Sequence, residues 1–466
     1  MQIELSNINK IKHASIEVGG LTVITGINDS GKSTVGKALF CAIKALSSSE
    51  GDSFEYKTRI VRECIDRIYR YTRIGYSIAT REKEKGREEF IPPRFMNSIQ
   101  PFIKDMDNPI IRLEFDKFIQ QKYSIIQQLR ISDIGKEKAL DYLLEIHNTL
   151  LKSNNGTTLM NDAFQRAIDS EFIQNICTEG AEESSVILSD ETGQCLFTIQ
   201  DNQVVTSFKD ESFYLPIGDA TFLETPLYLQ LNDLLSKSRS LFDVISGRNE
   251  YRFAPVIPFH IKDLMNKLEV SKYPTPSLFT KEWDISRIIG GEFKYDKTLR
   301  DFYFSTTKNG TKLKLQTMNV ASGIKTFGII QLLLDADEIN PGKMLIIDEP
   351  ENHLHPKWQI DCAQLIVKMV KEGIPVMVSS HSPYFIQGIR YFAHQEQIEE
   401  LVKYYLTEND ETSDLSTVED VTTNLNMIFK KLSEPLNHIM NLNDRTIIRL
   451  HQFTWLATDV NYLSIA

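Results

Sequence analysis

Two short segments at opposite ends of the chain constrain its fold most strongly. The first is the glycine-rich stretch Gly26 to Thr34, which follows the apolar run 21–25 and precedes small apolar residues at helical spacing. The second is the apolar run 344–347, which ends in Asp348 and Glu349. A glycine loop between a strand and a helix cradles phosphate groups, and acids at a strand end hold magnesium or position water. The chain therefore predicts one nucleoside triphosphate site that is built from both of its ends.

The glycine loop would bind the phosphates mainly through its backbone. Glycines let successive N–H groups point inward, and the helix that follows presents its N-terminus to the same charge. Lys32 would reach the β- and γ-phosphates, and Ser33 would bind Mg²⁺. The predicted cofactors are ATP and Mg²⁺. The loop residues predicted to contact them are Gly26, Asn28, Asp29, Ser30, Gly31, Lys32, Ser33 and Thr34.

The paired acids after the second apolar run are unsuited to a protein core, because an unpaired buried charge is costly. Asp348 is predicted to hold Mg²⁺, and Glu349 is predicted to orient or deprotonate the attacking water. The alternative is a solvated strand end without function. The presence of the glycine loop in the same chain favours the first interpretation.

Two further motifs carry little weight by themselves. Ser322 and Gly323, with Lys325 close behind, stand at the start of a helical pattern and could form a second anion site or a simple N-cap. His381 follows an apolar strand and could sense a γ-phosphate, although a lone histidine can also be structural. Their functional interpretation depends on the glycine loop and the acid pair.

Composition indicates a cytoplasmic protein. No stretch is long and apolar enough to span a bilayer, and the five cysteines form no CxxC pair. The formal charge of −11 argues against nucleic-acid binding over the whole surface. One arginine-rich segment could still form a local basic face for nucleic acid. The alternative is that these arginines lie on an ordinary solvated helix face. The arginines are Arg59, Arg62, Arg67, Arg70 and Arg73.

The chain divides into segments of different composition. An asparagine–glycine pair at 309–310, flanked by alternating runs, predicts a β-hairpin. The expected fold is an α/β P-loop head, with a mixed sheet, helices and an antiparallel β meander, that carries large α-helical insertions. The predicted segments are a first head part (1–50), a helical insertion (51–180), an antiparallel β part (181–225), a second, mostly helical insertion (226–290), a second head part (291–395) and a C-terminal helical tail (396–466).

The order of these motifs resembles the head of ABC-type ATPases. The segment from Asp348 to Pro356 is similar to the corresponding segment of the RecF/SMC and OLD-like branch, and differs from transporters. The resemblance implies that Ser322 and Gly323 form the signature motif and that His381 is the switch histidine. Ile324 stands where that motif usually has a second glycine. No glutamine could be assigned to the loop that normally precedes the signature.

The same resemblance implies that the site is completed by a second copy of the chain. ATP would join two heads, and hydrolysis would separate them. His353 and His355 belong to the loop after the acids in this interpretation, and a metal site is the alternative. The resemblance therefore predicts a homodimer or higher oligomer.

Two functions remain open. In the first, the chain is a sensor or scaffold ATPase, without nuclease activity of its own, that controls a separately encoded nuclease or toxin in anti-phage modules of the Septu or PARIS type. Its trigger would be a nucleic acid or a phage protein, and no membrane would be involved. In the second, the chain is a RecF-like ATPase of DNA repair or maintenance, with a basic channel across the heads.

Overall fold

A computed structural model describes residues 1–49, 53–73, 87–104, 106, 108–151, 156–173, 175–210, 212–238, 240, 256–272, 285–299, 301–410 and 413–441. The strands are β1 (Gln2–Ile8), β2 (Ile11–Glu17), β3 (Leu21–Gly26), β4 (Ser184–Ser189), β5 (Gln194–Gln200), β6 (Gln203–Lys209), β7 (Asp219–Leu223), β8 (Gly291–Asp296), β9 (Asp301–Lys308), β10 (Thr311–Gln316), β11 (Lys343–Asp348), β12 (Val376–Ser380), β13 (Val402–Asn409) and β14 (Ser416–Asp420). The helices are α1 (Lys32–Ser49), α2 (Ser53–Arg73), α3 (Pro92–Lys104), α4 (Pro109–Gln128), α5 (Asp133–Leu151), α6 (Gly156–Phe172), α7 (Leu227–Gln230), α8 (Asn232–Ser236), α9 (Phe259–Ser271), α10 (Ile285–Ile289), α11 (Ser322–Asp335), α12 (Pro356–Lys371), α13 (Pro383–Gln395) and α14 (Asn426–Asn441).

One large sheet organises the molecule. Its 11 strands follow the order β6-β5-β4-β1-β2-β14-β13-β3-β12-β11-β7. The strands from β13 to β7 run parallel to one another, and those from β6 to β2 form antiparallel pairs. Parallel strands are covered on both faces, and accordingly every residue of β3 is buried. The expected α/β fold, with a mixed sheet and an antiparallel meander, is confirmed.

Helices cover both faces of this sheet, because side chains alternate along each strand. In β11, Met344 and Ile346 join the apolar core that includes α1 and α6. Leu345 and Ile347 join the opposite core, which includes α9, α11, α12 and α13. The sheet is therefore the middle layer of an α/β/α sandwich.

Helices α2–α5 form a third, separate apolar core. We call this group of helices the insertion core. Its buried aromatic residues include Phe90, Phe95 and Phe115. Helix α6 lies within the predicted insertion 51–180, but it packs with α1 on the main sheet and belongs to that core instead. Where the structure describes the segment 51–180, its main elements are the helices α2–α6.

The predicted helical tail is wrong in part. Residues 402–409 and 416–420 form β13 and β14, which lie in the middle of the large sheet, and a helix follows at 426–441. Strand β13 pairs with β3 over Val402 to Thr407. This position depends on a partner strand that is distant in sequence, and local composition did not reveal it. Residues 442–466 of the predicted tail lie outside the described residues.

The remaining strands were predicted in part. The predicted hairpin at 309–310 is confirmed, and the asparagine and glycine both have positive φ, at 50° and 76°. Strand β8 adds a third strand to this small sheet and was not predicted. Strand β7 was also missed, and it pairs parallel to β11 rather than joining the antiparallel meander. Within the part of the chain that the structure describes, no helix is long and apolar enough to cross a bilayer. All five cysteines are free thiols.

Candidate nucleotide site

The carboxyl ends of the parallel strands bring the predicted site residues to one edge of the sheet. Asp348 at the end of β11 is in register with Ser379 of β12. Gly26 at the end of β3 is in register with Thr407 of β13. Glu224 directly follows β7, whose last residue pairs with the residue before Asp348. Ligands of open α/β sheets bind at this kind of edge.

The glycine loop has the curled backbone that its sequence predicts. Gly26 has φ of 149°, Asp29 of 64° and Gly31 of 82°. A Cβ atom on Gly26 would lie 2.0 Å from Thr407 Oγ1, so a side chain there would collide with β13. Glycine at this position is therefore required by both the backbone angle and the neighbouring strand.

Strand β13 also holds the loop in place. Ser30 is buried, and its hydroxyl donates to the carbonyl oxygen of Ile27 at 2.8 Å and contacts Thr407 Oγ1. Thr407 in turn donates to Thr25 O at 3.0 Å. Sequence reasoning did not identify Thr407, because its segment was assigned to a helical tail.

The outer part of the loop is open to solvent. Asn28 and Asp29 are exposed, and Asp29 forms an ion pair with Lys10. Ser33 and Thr34, in the first turn of α1, are half-buried. The residues predicted to bind phosphate thus run from the end of β3 through the loop into the first turn of α1.

Lys32 is buried, and its amine is held by the loop itself. Nζ donates to Ile27 O at 2.7 Å and to Gly26 O at 3.2 Å. Burial lowers the pKa of Lys32, and the nearby acids Glu349 and Asp348 oppose that shift. The amine thus lies inside the curl of the loop, which is the position expected for a phosphate ligand.

Ser33 and Asp348 meet directly, although 315 positions separate them in the chain. Ser33 Oγ donates to Asp348 Oδ2 at 2.7 Å, and Ser379 Oγ donates to Asp348 Oδ1. Burial raises the pKa of Asp348, and these two hydrogen bonds oppose the shift. The structure therefore brings together the two residues that were predicted to bind the metal.

Glu349 has a left-handed backbone, with φ of 50°. Its N–H group donates to Ser379 O at 3.1 Å, and its carboxylate accepts from Asn352 Nδ2 at 2.8 Å. This conformation is rare for a residue with a side chain and persists where the surroundings enforce it. Glu349 is thus held at a defined angle immediately after Asp348.

His381 lies between two acids. Its Nδ1 atom is 3.3 Å from Glu349 Oε1 and 3.5 Å from Glu351 Oε1, and neither contact has hydrogen-bond geometry. The structure therefore places the predicted switch histidine next to the predicted general base.

Glu351 organises the turn that carries His381, and sequence reasoning assigned it no role. Its Oε1 atom accepts from Ser380 Oγ at 2.7 Å, from His381 N at 2.8 Å and from Ser382 N at 3.1 Å. Burial raises the pKa of Glu351, and the hydrogen bonds oppose that shift. An acid two residues after the acid pair was the available signal in the sequence.

The residues of the predicted signature motif lie at the start of α11. Ser322 is half-buried, and Gly323 is so close to the next elements that a Cβ atom would lie 2.8 Å from Leu354 Cδ2 and 3.0 Å from Trp358. Lys325 is buried and donates to Gln230 of α7. Packing within the chain thus explains why residue 323 is a glycine and why Lys325 lies where it does. A signature role for the three stays a prediction.

A buried chain of charged groups adjoins the site and was not predicted. His260 of α9 lies between Glu171 of α6, at 2.7 Å, and Glu224 after β7, at 3.0 Å. Glu171 also forms an ion pair with Lys37 of α1, at 3.3 Å. Tyr228 donates to Glu224 at 2.9 Å. Glu224 follows an apolar strand as Asp348 does, and that signal could have identified it.

The remaining candidates of the sequence analysis are less directly tied to the site. His355 caps α12, where its ring accepts from Lys357 N. Among the described residues, no group of three or more His, Cys, Asp or Glu side chains could hold a metal ion. In the basic run, Arg67 donates to Tyr142 of α5 at 2.8 Å and packs on its ring, and Arg62 is exposed.

The donor atoms at the sheet edge fit a magnesium nucleotide. Mg²⁺ prefers oxygen ligands, retains several waters, and takes one or two protein ligands beside substrate phosphates. Ser33 and Asp348 supply a hydroxyl and a carboxylate that already touch each other. The curled loop and Lys32 supply N–H and ammonium donors for phosphate. These residues therefore match both halves of the predicted cofactor pair.

Comparison with known proteins agrees with this assignment. The sequence profile described as "AAA ATPase domain" matches residues 1–386. A comparison with curated protein sequences found no match.

Solved structures that resemble the chain include three heads of SMC proteins. A crystal structure of the SMC head bound to the C-winged helix domain of ScpA has 10% identity and a TM-score of 0.40, and covers 91% of this chain and 98% of its own. The SMC head domain from Thermotoga maritima has 10% identity and a TM-score of 0.36, and the match covers 90% and 98%. The SMC head with an extended coiled coil, bound to the C-terminal domain of ScpA derived from Pyrococcus furiosus, has 9% identity and a TM-score of 0.29, with coverage of 93% and 99%.

The matched family region runs from β1 through the His381 turn, and so includes every residue that was predicted to touch nucleotide. Within it, the loop, the acid pair and His381 converge at one sheet edge. The chain therefore belongs to the AAA ATPase domain family.

Proposed function

We propose that this chain hydrolyses ATP with Mg²⁺, joins two heads when ATP is bound, and controls a separate effector. The observation that carries the ATPase part is the direct contact of Ser33 with Asp348, which unites the phosphate loop and the acid pair. When bound, Mg²⁺ would neutralise phosphate charge and be held by these two residues.

The residues around them have separable roles in this proposal. Lys32 exchanges its loop carbonyl partners for the phosphate oxygens. Glu349, fixed by its backbone and by Asn352, orients the attacking water and accepts its proton. His381 lies 3.3 Å from that carboxylate, so a hydrogen bond from it to the γ-phosphate would link nucleotide state to the position of Glu349.

Ser322, Gly323 and Lys325 would contact the nucleotide held by a second copy of the chain. The N-terminus of α11 supports this proposal, because free N–H groups at a helix start attract anions. Two heads joined in this way would open after hydrolysis, since the triphosphate contacts both faces only in the closed state.

The wider role that we propose is control of a separately encoded nuclease or toxin in anti-phage defence in the cytoplasm. A nucleic acid or phage protein would be the trigger, and the chain itself would not cut DNA. The similarity of the segment from Asp348 to Pro356 to the OLD-like branch supports this proposal.

Nucleotide binding, turnover and closure are tested with three variants. Lys32→Ala should lose nucleotide binding, measured with a fluorescent ATP analogue. Glu349→Gln should bind ATP, hydrolyse it poorly and accumulate closed dimers, measured by light scattering. Ser322→Arg should bind ATP and remain monomeric, and ATP-driven dimerisation of this variant would refute the role of Ser322.

The effector role has its own test. The chain is expressed in bacteria together with its neighbouring gene, which we expect to encode a nuclease or toxin, and phage plaques are counted. Protection should require both genes and should be changed by Glu349→Gln. Purified chain that cuts DNA with Mg²⁺, and continues to cut as Glu349→Gln, would show that the chain is itself the effector.

A further inference from the structure

The acid–histidine–acid chain beside the site has no part in the mechanism above. His260 is almost fully buried at the start of α9, and Glu171 at the end of α6 is buried as well. Glu224 is different, because 40% of its side chain is exposed, and its charge contributes to the raised pKa of Asp348. The chain of contacts thus begins in the core and ends at the open nucleotide edge.

Both ring nitrogens of His260 face carboxylates. Nδ1 is 2.7 Å from Glu171 Oε1, and Nε2 is 3.0 Å from Glu224 Oε2. Carboxylates accept hydrogen bonds, so both nitrogens donate when the ring is protonated. Burial alone would lower the pKa of His260, but the hydrogen bonds to Glu171 and Glu224 outweigh it and raise the pKa. A charged imidazolium is therefore the form that satisfies this geometry.

The histidine is fixed in its backbone as well as in its ring. The N–H group of His260 donates to Glu171 Oε2 at 3.1 Å, so one carboxylate holds both the helix start and the imidazole. Lys37 of α1, 3.3 Å from Glu171 Oε1, balances the remaining charge. His260, Glu171 and Lys37 thus connect α9, α6 and α1 through one group of charged side chains. Helix α1 begins at the phosphate loop, so this group is linked to the loop.

On the other side, His260 holds Glu224 as a carboxylate. The hydrogen bond from His260 lowers the pKa of Glu224 to about 2, despite the opposing effect of burial. Tyr228 donates to the same oxygen, Oε2, at 2.9 Å. Two donors thus hold this carboxylate. Glu224 directly follows Leu223, which pairs with Ile347, the residue before Asp348.

We propose that His260 is a positioning residue of the ATPase site, which holds the Glu224 carboxylate beside Asp348 and is itself held by Glu171 of α6. This inference rests on the proposed ATP hydrolysis. It adds an acid to the site and links turnover to α6, the helix that connects the insertion core to the sheet. Partners that orient a site residue in this way typically change activity by about 10- to 100-fold when removed.

The test is a double-mutant cycle on the full-length chain. Glu224→Gln, His260→Gln and Glu171→Gln are compared singly, and the last two are repeated in the Glu224→Gln background. We expect each single change to lower kcat by about tenfold, with KM for ATP within about twofold. Since His260 and Glu171 act through Glu224, their changes should have no further effect on kcat in its absence.

His147→Gln is the matched control. His147 of α5 also contacts a carboxylate, Asp116 Oδ1 at 2.9 Å, but it belongs to the insertion core. Its kcat should equal that of the unaltered chain. If His260→Gln does not fold by circular dichroism, Glu171→Gln, which keeps the side-chain shape, supplies the same comparison.

Two results would overturn the proposal. One is an unchanged kcat in Glu224→Gln, a position whose side chain is 40% exposed. The other is a loss from His260→Gln or Glu171→Gln that is equally large with and without Glu224, which would indicate a structural role. Failure of the proposed function is distinguishable, because the unaltered chain would then show no ATP hydrolysis that Glu349→Gln removes.

Discussion

The large sheet and the insertion core bury very different side chains. Around the sheet, charged groups such as Lys32, Lys44, Glu171 and Glu351 are buried next to the apolar layers. The insertion core is built mainly from aromatic and aliphatic residues, and its rings form a contiguous group that includes Phe95, Phe102, Phe115 and Phe118.

The difference shows where this chain places its costly interactions. A buried charge is tolerated when it is paired and hydrogen-bonded. Lys44 of α1, for example, is 2.5 Å from Asp219 of β7 and 2.6 Å from Asp263 of α9. These pairs join helices α1 and α9 to strand β7. The insertion core relies mainly on apolar packing, with the pair of Lys122 and Glu89 as an exception.

Among substitutions that distinguish the sheet region from the insertion core, the largest expected effect is on the rate of ATP hydrolysis. Glu349→Gln should lower kcat for ATP by about 10²- to 10⁴-fold, because it removes the group that we propose accepts the proton of water. Affinity for ATP should be retained, and both are measured by steady-state kinetics and nucleotide titration. Glu137→Gln in α5 is the control, and it should leave kcat unchanged. Equal turnover of Glu349→Gln and the unaltered chain would refute the role of Glu349.

Phe115→Ala should destabilise the insertion core by about 3–5 kcal/mol, because it leaves a cavity at a fully buried ring. The ring centroid of Phe115 lies 5.3 Å from that of Phe102. Thermal unfolding followed by circular dichroism should show an earlier transition, while kcat at low temperature stays unchanged. The unfolding temperature of Phe115→Leu, the milder control, should lie between those of the unaltered chain and Phe115→Ala. If turnover disappears together with the insertion transition, the two regions are one cooperative unit.

Asp219→Asn should destabilise the sheet region by about 3 kcal/mol at neutral pH, because it leaves Lys44 and Lys267 short of a partner. Burial opposes ionisation of Asp219, but the two lysines lower its pKa to about 2. The pKa of Asp219 is lower in the folded state than in the unfolded state. The contribution of its carboxylate to the free energy of unfolding is therefore complete above the unfolded pKa of about 4 and is lost as pH falls toward 2.

Urea unfolding of both proteins at several pH values measures this dependence. The difference in unfolding free energy between the unaltered chain and Asp219→Asn should shrink as pH falls from 4 to 2. Asp233→Asn, an exposed acid paired with Lys237, serves as the control with little effect at any pH. A difference that is independent of pH would contradict the ionic origin of the stabilisation.

The smallest effect is expected inside the insertion core. Lys122 is buried against the rings of Phe95 and Phe118, and its amine is 2.6 Å from Glu89. Lys122→Met should change the unfolding free energy by only about 1 kcal/mol, because the stem still packs and Glu89 keeps access to water. Lys44→Met should cost more, since Asp219 and Asp263 are left in the core. If urea unfolding shows equal losses of unfolding free energy for Lys122→Met and Lys44→Met, the two regions do not differ in this respect.

Local patterns were sufficient for several elements. The glycine loop, β11, the helix Pro356–Lys371 and the hairpin at 309–310 were all predicted close to their observed positions. Each depends on interactions within a few residues: a positive φ, an apolar run or helical spacing. The pairing of Ser33 with Asp348 was also anticipated, because the chemistry of a nucleotide site demanded it.

Elements that depend on distant partners were missed. Residues 402–409 have aromatic and aliphatic side chains that suit a strand, yet they were assigned to a helical tail. Strand β7 and Glu224 were overlooked because the surrounding segment looked antiparallel. His260 and Glu171, 89 positions apart, have no local pattern that connects them.

By itself, the sequence determined which residues to consider for chemistry: a predicted phosphate loop, a predicted metal-binding acid, a predicted general base and a histidine, each recognisable from its immediate neighbours. The tertiary structure alone decided what supports them. It placed Thr407 against Gly26, Glu351 behind His381, and Glu224 at the end of the strand that pairs with β11. The physical reason is that loop and helix geometry follows from short-range backbone angles, whereas strand neighbours and buried ion pairs depend on contacts across the whole chain.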